Sequence, residues 1–501
     1  MIRFFKKYHK WLGVIFLLFF LIFSFSGIIL NHRELFAGFD VSRNLMPKEH
    51  LYENWNNAAV KGTERINKDS ILIYGNIGVW LTDSNAASFT DFNNGFPKGV
   101  DNHKVCKIFK TKNGDLFAGT FFGLYIYNIS TKNWVQIELP THEKRITDIT
   151  EKEGVLYVMT RSFILKTSDN KTFETITLPK PENYDNKVGL FKTLWVIHSG
   201  EIYGTVGKLI VDLVGLIFIF LTITGFILFI NKYRIKSKQK KDKDVSKIVK
   251  TNKWNLKWHN KIGWITAIIL LFTTITGMFL RPPLLIAIVE SKVSKLPFTE
   301  LDSTNPWFDK LRRIIYDEEN DNFIIATPDG VYSCDSGFKN ELKKFKNQPA
   351  ISVMGVNVFE KTKPNTLLVG SFEGLFEWDT KTGELIDYIG KKPYQEPTGR
   401  NATYYNVISG YSKDLKSEEF FFDFNIGSKS IGVDKQVVMP SEIKNQNMSL
   451  WNVALEFHTA RIYSVFLGGL YILVIPLLGL ISLFIIISGF VVWYKKRKSY
   501  N

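Results

Sequence analysis

The sequence predicts a membrane protein with four transmembrane helices in a bundle and an all-β, propeller-like extracytoplasmic domain built from both halves of the chain. Three observations support this: four long apolar runs, positive charge concentrated beside them, and an internal repeat with an offset of about 250 residues. The chain has 501 residues, of which 15% are aromatic and two are cysteine. This composition excludes a disordered chain, a disulfide scaffold and a zinc-finger array.

The excess positive charge lies in three short segments, each of which flanks an apolar run. Residues 1–10, 231–261 and 494–501 carry 20 of the 64 basic residues and only two acids, Asp242 and Asp244. The rest of the chain has a formal charge of −2. Charge placed in this way does not indicate a nucleic-acid partner. By the positive-inside rule it places both termini and the loop 231–261 in the cytoplasm.

The apolar runs, at about 11–30, 209–230, 262–280 and 466–493, have the length of about 20 residues that a spanning helix needs. We interpret the first as an uncleaved span, because Asn31, His32 and Arg33 do not form a signal-peptide cleavage motif. The predicted organisation is transmembrane helix 1 at 1–32, a β-rich module at 33–190, helix 2 at 191–232, a basic cytoplasmic loop at 233–257, helix 3 at 258–283, a second β-rich module at 284–448, and helix 4 with a basic C-terminus at 449–501.

A tandem duplication relates the two halves. YHKWLGVIFLLFFLIFSFSG (8–27) parallels WHNKIGWITAIILLFTTITG (258–277), so that His9 matches His259. LFAGTFFGLYIYN (116–128) parallels LLVGSFEGLFEWD (367–379), and HSGEIYG (198–204) parallels HTARIYS (458–464), so that His198 matches His458. Each half therefore consists of a span, an outside module and a second span. We expect the four spans to form a four-helix bundle with a pseudo-two-fold axis along the membrane normal.

The outside modules contain six alternating apolar stretches bounded by Gly, Asn and Asp, which predict antiparallel strands. They are 71–83, 116–128, 156–169, 323–335, 367–379 and 419–434. Their spacing of about 40–50 residues is typical of propeller blades. Three blades cannot close a ring but six can, so we expect one joint domain, with two separate β-rich modules as the alternative. Cys106 and Cys334 lie in different halves and predict either a disulfide between them or two buried thiols.

Histidines are the candidate cofactor ligands. Five of the eight lie at or near span ends: His9, His32, His198, His259 and His458. Two imidazoles that face each other across a bundle suit the axial positions of one haem iron. His9 and His259 on the cytoplasmic side and His198 and His458 outside therefore predict two b-type haems. The alternative is that each histidine is an ordinary interfacial residue.

Small and basic residues near the histidines fit the same hypothesis. Gly13 and Gly263 follow His9 and His259 by four residues and would make room for a macrocycle. All four spans carry Ser/Thr-Gly, at 26–27, 224–225, 276–277 and 488–489, which also suits plain helix packing. Three arginines near the outer helix ends are candidate partners of haem propionates, with interface marking as the alternative: Arg33, Arg281 and Arg461.

The outer haem has two possible ligand sets. His198 precedes the cytoplasmic end of its span by about 32 residues, or about 48 Å of straight helix, which exceeds the hydrocarbon core. It would stand well above the membrane unless the segment with Gly200, Gly204 and Gly207 bends it back. His32 is the rival ligand, although Pro282 occupies its repeat position and leaves it without a duplicated partner.

At YHKWLG, WHNKIG, HSGEIYGTVGKLIVDLVGL and the Thr-Gly span ends, the chain resembles the PepSY-associated transmembrane family of bacterial inner-membrane proteins. The resemblance covers about a third of the chain. It implies an inner-membrane di-haem reductase linked to iron uptake that acts on ferric siderophores in the periplasm, with His9, His198, His259 and His458 as haem ligands. Two features depart from the family: His458-Thr459-Ala460 lacks the glycine, and the outside regions look propeller-like rather than small and α/β.

The leading functional hypothesis is transmembrane electron transfer to a ferric chelate outside. Reduction to iron(II) would weaken the chelator's hard oxygen ligands and release the metal. The cytoplasmic loop is too short for a flavin or nicotinamide domain, which implies a quinol or a separate reductase as donor. Asp212, inside the second span, is either an acceptor for a quinol proton or a solvated acid near the interface. The competing hypothesis is a non-enzymatic, membrane-anchored sensor or partner-binding platform.

Overall fold

A computed structural model describes residues 1–352, 355–395, 406–432 and 435–498. It divides into two compact units. The helical unit comprises Met1–Phe36, Asn186–Ser303 and Leu450–Asn501, and the β unit comprises Ala37–Asp185 and Thr304–Ser449. Each unit therefore takes segments from both halves of the duplicated chain. Residues 433 and 434, which end the sixth predicted strand stretch, and residues 499–501 of the C-terminus lie outside the described residues.

Ten α-helices lie within the described residues. They are α1 (Ile2–Ile15), α2 (Leu17–Asn31), α3 (Arg33–Phe36), α4 (Leu190–Ser199), α5 (Gly204–Gln239), α6 (Ser246–Phe279), α7 (Ser441–Lys444), α8 (Leu450–His458), α9 (Ser464–Leu467) and α10 (Val474–Lys498). All except α7 belong to the helical unit. Helices α5 and α6 extend well into the predicted basic loop 233–257, so that only residues 240–245 connect them.

Within the part of the chain that the structure describes, three helical segments are long and apolar enough to cross a membrane: Glu201–Gln239, Ser246–Phe279 and Arg461–Lys495. The predicted first span is not one straight helix, because α1 and α2 meet at 62°. The break falls at Phe16, whose ψ of 8° departs from helical geometry. The count reaches the predicted four when this bent pair is taken as one span. The helices pack as α5 on α2 and α6, and as α10 on α1 and α6.

A break in the helix at Gly200 explains how His198 can lie within the helical unit although it is too far along the chain for one straight spanning helix. Helix α4 ends one residue after His198, Gly200 adopts a left-handed conformation (φ 79°), and the spanning helix α5 restarts at Gly204. A Cβ on Gly200 would collide with the Gly207 carbonyl, and a Cβ on Gly207 would collide with the Gly200 carbonyl. The glycines that the sequence marked as a possible bend therefore allow two backbone segments to touch.

The second half makes the same break without glycine. Ala460 stands two residues after His458, as Gly200 does after His198, and adopts the left-handed conformation with φ 60°. This conformation costs an L-residue about 1–2 kcal/mol. The departure from the family pattern at His458-Thr459-Ala460 thus preserves the backbone path at an energetic cost.

Twenty-eight strands lie within the described residues. They are β1 (Asp40–Val41), β2 (Gly62–Arg65), β3 (Ser70–Gly75), β4 (Gly78–Asp83), β5 (Phe89–Asp91), β6 (Val105–Lys110), β7 (Leu116–Thr120), β8 (Leu124–Asn128), β9 (Asn133–Ile137), β10 (Asp148–Lys152), β11 (Val155–Met159), β12 (Ile164–Thr167), β13 (Glu174–Ile176), β14 (Lys187–Gly189), β15 (Lys292–Ser294), β16 (Arg313–Asp317), β17 (Asn322–Thr327), β18 (Gly330–Asp335), β19 (Lys343–Lys344), β20 (Val356–Lys363), β21 (Thr366–Ser371), β22 (Gly374–Asp379), β23 (Leu385–Asp387), β24 (Lys392–Pro393), β25 (Ile408–Ser412), β26 (Phe420–Asp423), β27 (Gly427–Ser430) and β28 (Met448–Ser449).

The β unit contains six antiparallel sheets of consecutive strands, three from each half. In chain order they are sheet 1 (β2–β5), sheet 2 (β6–β9), sheet 3 (β10–β13), sheet 4 (β16–β19), sheet 5 (β20–β24) and sheet 6 (β25–β27). Each of the six predicted stretches folds as two adjacent antiparallel strands, for example β3 with β4 and β7 with β8. The alternation of apolar residues therefore predicted the strands of this unit correctly.

Buried apolar clusters join each sheet to the next. Sheets 1 and 2 share one cluster, and others join 2 to 3, 3 to 4, 4 to 5 and 5 to 6. A further cluster joins sheet 6 to sheet 1 through residues such as Phe420, Phe422, Ile71 and Ile73. Two of these clusters combine residues of the first and second halves, so the cores of the two halves are joined at two places.

Both cysteines are free and buried. Cys106 lies on β6 in sheet 2, and Cys334 lies on β18 in sheet 4. Burial, together with the nearby Asp335 carboxylate, raises the pKa of the Cys334 thiol to about 12. Of the two outcomes that the sequence left open, the structure has the pair of buried thiols.

We expect opposite responses to substitution at the two left-handed residues, Gly200 and Ala460, where the helices break. Gly200→Ala should lower the thermal midpoint of the purified protein, because it adds left-handed strain of about 1–2 kcal/mol and a collision with Gly207. Ala460→Gly should leave the midpoint unchanged or raise it, because it removes that strain. Thermal unfolding of both variants in detergent checks this. Equal destabilisation by the two changes would contradict it.

Stability of the β unit should depend on pH through Glu64. Burial, which outweighs the nearby Lys107, raises the pKa of this carboxyl from 4.5 to about 7. Between these values the folded state retains a proton that the unfolded state has released, so stability falls as pH rises from about 4.5 to about 7. Unfolding at a series of pH values should show this slope, and Glu64→Gln should reduce it. The matched change Glu138→Gln, at an exposed site, should leave it intact.

Candidate functional site

Two pairs of histidines face each other inside the helical unit. The ring centroids of His9 and His259 lie 6.2 Å apart, and those of His198 and His458 also lie 6.2 Å apart. Each pair joins the duplicated positions of the two halves, as the repeat predicted. The planes of the two rings differ by 82° in the first pair and by 50° in the second.

Each imidazole is anchored to a different helix through Nδ1. This atom lies 2.9 Å from the Ile485 carbonyl in His9, 3.0 Å from the Thr273 carbonyl in His198 and 3.1 Å from the Phe23 carbonyl in His458. A carbonyl only accepts hydrogen bonds, so Nδ1 carries the proton in these three rings and Nε2 keeps its lone pair. An imidazole fixed in this way is prepared to bind a metal through Nε2.

The Ser/Thr-Gly pairs form the rest of the anchor. The four hydroxyls lie 3.0–3.3 Å from Nδ1 of the four histidines: Ser488 with His9, Thr224 with His259, Thr276 with His198, and Ser26 with His458. His259 also hydrogen-bonds the Leu221 backbone, three residues before Thr224. In all four cases the carbonyl, the hydroxyl and the glycine therefore occupy positions i, i+3 and i+4 of one helix and lie on one face.

The glycine of each pair makes room for an imidazole ring. A Cβ added there would lie 2.9 Å from His9 at Gly489, 3.3 Å from His259 at Gly225, 2.7 Å from His198 at Gly277, and 3.3 Å from His458 at Gly27. The sequence left open whether these glycines make room for a haem or allow two helices to pack closely. Their direct role is to let a histidine from another helix lie against the backbone. The signal that could have found this is the coincidence of four such pairs with four duplicated histidines.

The residues present fit a haem at each pair. Two metal–nitrogen bonds of about 2 Å, together with the two ring radii, add up to about the observed centroid distance. A Cβ at Gly13 would meet no atom within 4 Å, which leaves space one turn from His9. Of the buried donors that have no hydrogen-bond acceptor among the described residues, two lie near the histidine pairs: Asn255 Nδ2, one turn before His259, and Arg461 Nε, three residues after His458. Donors of this kind suit carboxylates such as propionates.

The fifth candidate, His32, is not brought to another histidine. Its Nε2 lies 2.5 Å from Oδ2 of Asp212, and Asn31 donates to the other oxygen of the same carboxylate. The sequence noted His32 and Asp212 separately but gave no sign that they meet, because they lie on different helices 180 residues apart. The guanidinium of Arg33 stacks on Trp451, and Arg461 forms an ion pair with Glu456.

The apolar helices define the chain as a membrane protein. The family model described as the PepSY-associated TM region matches residues 2–232 and again residues 233–497. The chain therefore belongs to the PepSY-associated TM family, and each half matches the family once. This confirms the resemblance found in the sequence and extends it from about a third of the chain to nearly all of it.

Solved structures give low similarity. The extracellular domain of the two-component system BT4673 from B. thetaiotaomicron is 11% identical with a TM-score of 0.37, and the match covers 75% of this chain and 33% of that one. PorZ of the type-IX secretion system of Porphyromonas gingivalis is 10% identical with a TM-score of 0.31, and the match covers 76% and 32%. The chain spans about a third of the length of these two. No curated protein matches the chain.

The histidine anchors predict graded effects of added methyl groups. Gly277→Ala should destabilise the protein more than Gly225→Ala, because its Cβ would lie 2.7 Å from His198 whereas that at Gly225 would lie 3.3 Å from His259. Overpacking of this kind costs about 1–3 kcal/mol. Thermal unfolding in detergent measures the difference. Equal midpoints for the two variants would show that the rings move aside freely.

Proposed function

We propose that the protein is a b-type di-haem electron-transfer protein that reduces a ferric, siderophore-like chelate on the extracytoplasmic side of the bacterial inner membrane. Both termini would lie in the cytoplasm and the β unit in the periplasm. One observation carries this proposal: the four histidines form two facing pairs. In three of the four rings Nδ1 is hydrogen-bonded to a backbone carbonyl, which leaves the lone pair of Nε2 available to bind iron. Membership of the PepSY-associated TM family supports it.

The anchored histidines would hold each haem rigidly. Each Nδ1 hydrogen bond fixes the ring orientation and increases the basicity of Nε2. The glycine contacts limit rotation of the rings, so that ligand geometry changes little between oxidation states. A haem bound by each pair supplies one-electron exchange between iron(III) and iron(II). Asn255 and Arg461 would bind the propionates, because each has a buried donor without an acceptor among the described residues.

The two pairs lie at different depths along one helix. Helix α6 carries His259 itself and receives the His198 ring at Thr273, 14 residues further along the chain. At 1.5 Å per residue this corresponds to about 21 Å along the helix axis, a large part of the roughly 30 Å hydrocarbon core. This spacing suits transfer of electrons from one side of a membrane to the other.

The electron donor would be a quinol or a separate reductase. Residues 240–245 are all that connects α5 to α6, which leaves no flavin or nicotinamide domain in this connection. Reduction of the bound substrate iron weakens its oxygen ligands and releases it for uptake.

We further propose that the six sheets are the blades of one propeller built from both halves. The shared apolar clusters support this, because they run from sheet 1 to sheet 6 and back to sheet 1. Such a domain suits docking of the ferric chelate. It would equally suit the competing function, a membrane-anchored sensor or binding platform without haem, and haem content distinguishes the two.

Haem stoichiometry is the decisive test. The detergent-purified protein should contain about two b-type haems per chain by the pyridine haemochrome assay. His9→Ala or His259→Ala should remove one, and His198→Ala or His458→Ala should remove the other, because each pair would supply the two histidines that hold one haem. The matched change His32→Ala should keep both. Protein from haem-supplied cells that contains no haem would overturn the proposal and favour the binding platform.

A further inference from the structure

The His32–Asp212 pair is a second polar site within the helical unit. His32 follows the last residue of α2, and Asp212 lies in the membrane-spanning part of α5. The side chain of His32 is 27% exposed and that of Asp212 is 12% exposed. An acid in a transmembrane segment is costly unless it is paired, and such residues most often serve a function.

The hydrogen bonds give the pair the arrangement of a proton acceptor and its orienting group. Asp212 accepts from Nε2–H of His32 with one oxygen and from the Asn31 amide with the other. Donation by Nε2 leaves Nδ1 of His32 as the ring nitrogen that can accept a proton. Among the described residues no hydrogen bond to this Nδ1 is found, which leaves its lone pair available as an acceptor. A carboxylate held against an imidazole also stabilises the imidazolium that proton acceptance forms.

Exposed leucines of α5 lie near Asp212. Leu209, Leu213 and Leu216 share one face of the helix, at spacings of four and three residues, and lie three residues before, one after and four after Asp212. Their exposed fractions are 56%, 56% and 53%. In a spanning helix an exposed leucine face contacts lipid. A molecule that reaches His32 along this face would therefore come from the bilayer.

The pair also lies close to one of the two histidine pairs. His458 packs against Gly27 on α2, and His32 follows Gly27 by five residues. This corresponds to about 7.5 Å along the helix. A molecule held at His32 would thus lie near enough to the His198/His458 pair to exchange electrons with an iron bound there.

We propose that the His32–Asp212 pair binds a lipid-soluble hydroquinone, the electron donor that the proposed function requires. Nδ1 of His32 takes the hydroxyl proton of the hydroquinone as its O–H bond breaks, and Asp212 positions the ring and pairs with the imidazolium. The exposed face of His32 then passes the proton to water and accepts the second one. Oxidation of each hydroquinone to a quinone releases two protons and two electrons. The haems that the two histidine pairs would hold would each accept one of these electrons.

The experiment uses the full-length protein in detergent with decylubiquinol as reductant. Decylubiquinol added to protein already reduced with dithionite serves as the binding probe, because the hydroquinone carries the hydroxyl that Nδ1 accepts. Haem reduction by decylubiquinol is followed by stopped-flow absorbance. His32→Ala should slow it by about 10²–10⁴-fold, the usual contribution of a general base. Asp212→Asn should slow it less and change its pH profile, because Asn still holds the ring but no longer stabilises the imidazolium. The control His142→Ala, in the β unit, should leave the rate unchanged.

His32→Gln guards against a simple loss of folding. Its amide nitrogen can still donate to Asp212 and its amide oxygen can still accept from the hydroquinone hydroxyl, so it should retain decylubiquinol binding by calorimetry while losing rapid reduction. His32→Ala should weaken this binding about tenfold. Reduction by dithionite should yield the same spectrum in every variant, which shows that the haem sites are intact.

The outcomes separate this inference from the proposed function on which it rests. If haem is present and reduced by dithionite but decylubiquinol reduces the wild type and His32→Ala at equal rates, the hydroquinone site is wrong and the di-haem function stands. If the protein contains no haem, the proposed function fails, and calorimetry alone decides the site. Decylubiquinol binding that is absent from the wild type, or unaffected by His32→Ala, would overturn the inference in either case.

Discussion

The helical unit depends on hydrogen bonds between histidine side chains and the backbone of a neighbouring helix. A helix face normally has its carbonyls occupied and its surface covered by side chains, so an imidazole can reach a carbonyl only where the residue one turn on is glycine. The sequence meets this condition four times, with glycine at 27, 225, 277 and 489. The hydroxyl that precedes each glycine adds a polar partner inside an apolar region. The four contacts therefore fix which helices are neighbours and how deep each histidine lies.

This constraint accounts for the irregular parts of the spans. His198 and His458 contact α6 and α2 from short helices that end at or just after them, where the chain turns back through a left-handed residue. Gly200 makes this turn without strain, and Ala460 makes the same turn with it. At the other end, the bend at Phe16 accompanies the packing of α1 on α10, where His9 reaches Gly489. The spans thus break or bend where a histidine packs against a neighbouring helix.

Because the chain is duplicated, many of its buried contacts join residues of the two halves. Each histidine lies beside a glycine of another helix, and each pair needs one histidine from each half. Buried clusters that mix the two halves also occur in the β unit, where sheet 3 shares a core with sheet 4 and sheet 6 with sheet 1. Neither half could therefore form these cores or pairs alone. His32 and Asp212 are the exception, since both lie in the first half.

The sequence by itself determined the spans, the repeat, the strand stretches and the four paired histidines, because these depend on local periodicity and on matches between equivalent positions. It also indicated a bend near Gly200, from helix length alone. Only the tertiary structure decided which glycine receives each ring, which imidazole nitrogen is free, that α1 and α2 meet at an angle, and that His32 meets Asp212. These facts depend on contacts between residues far apart in the chain. A sequence pattern within one segment does not reveal which other segment packs against it.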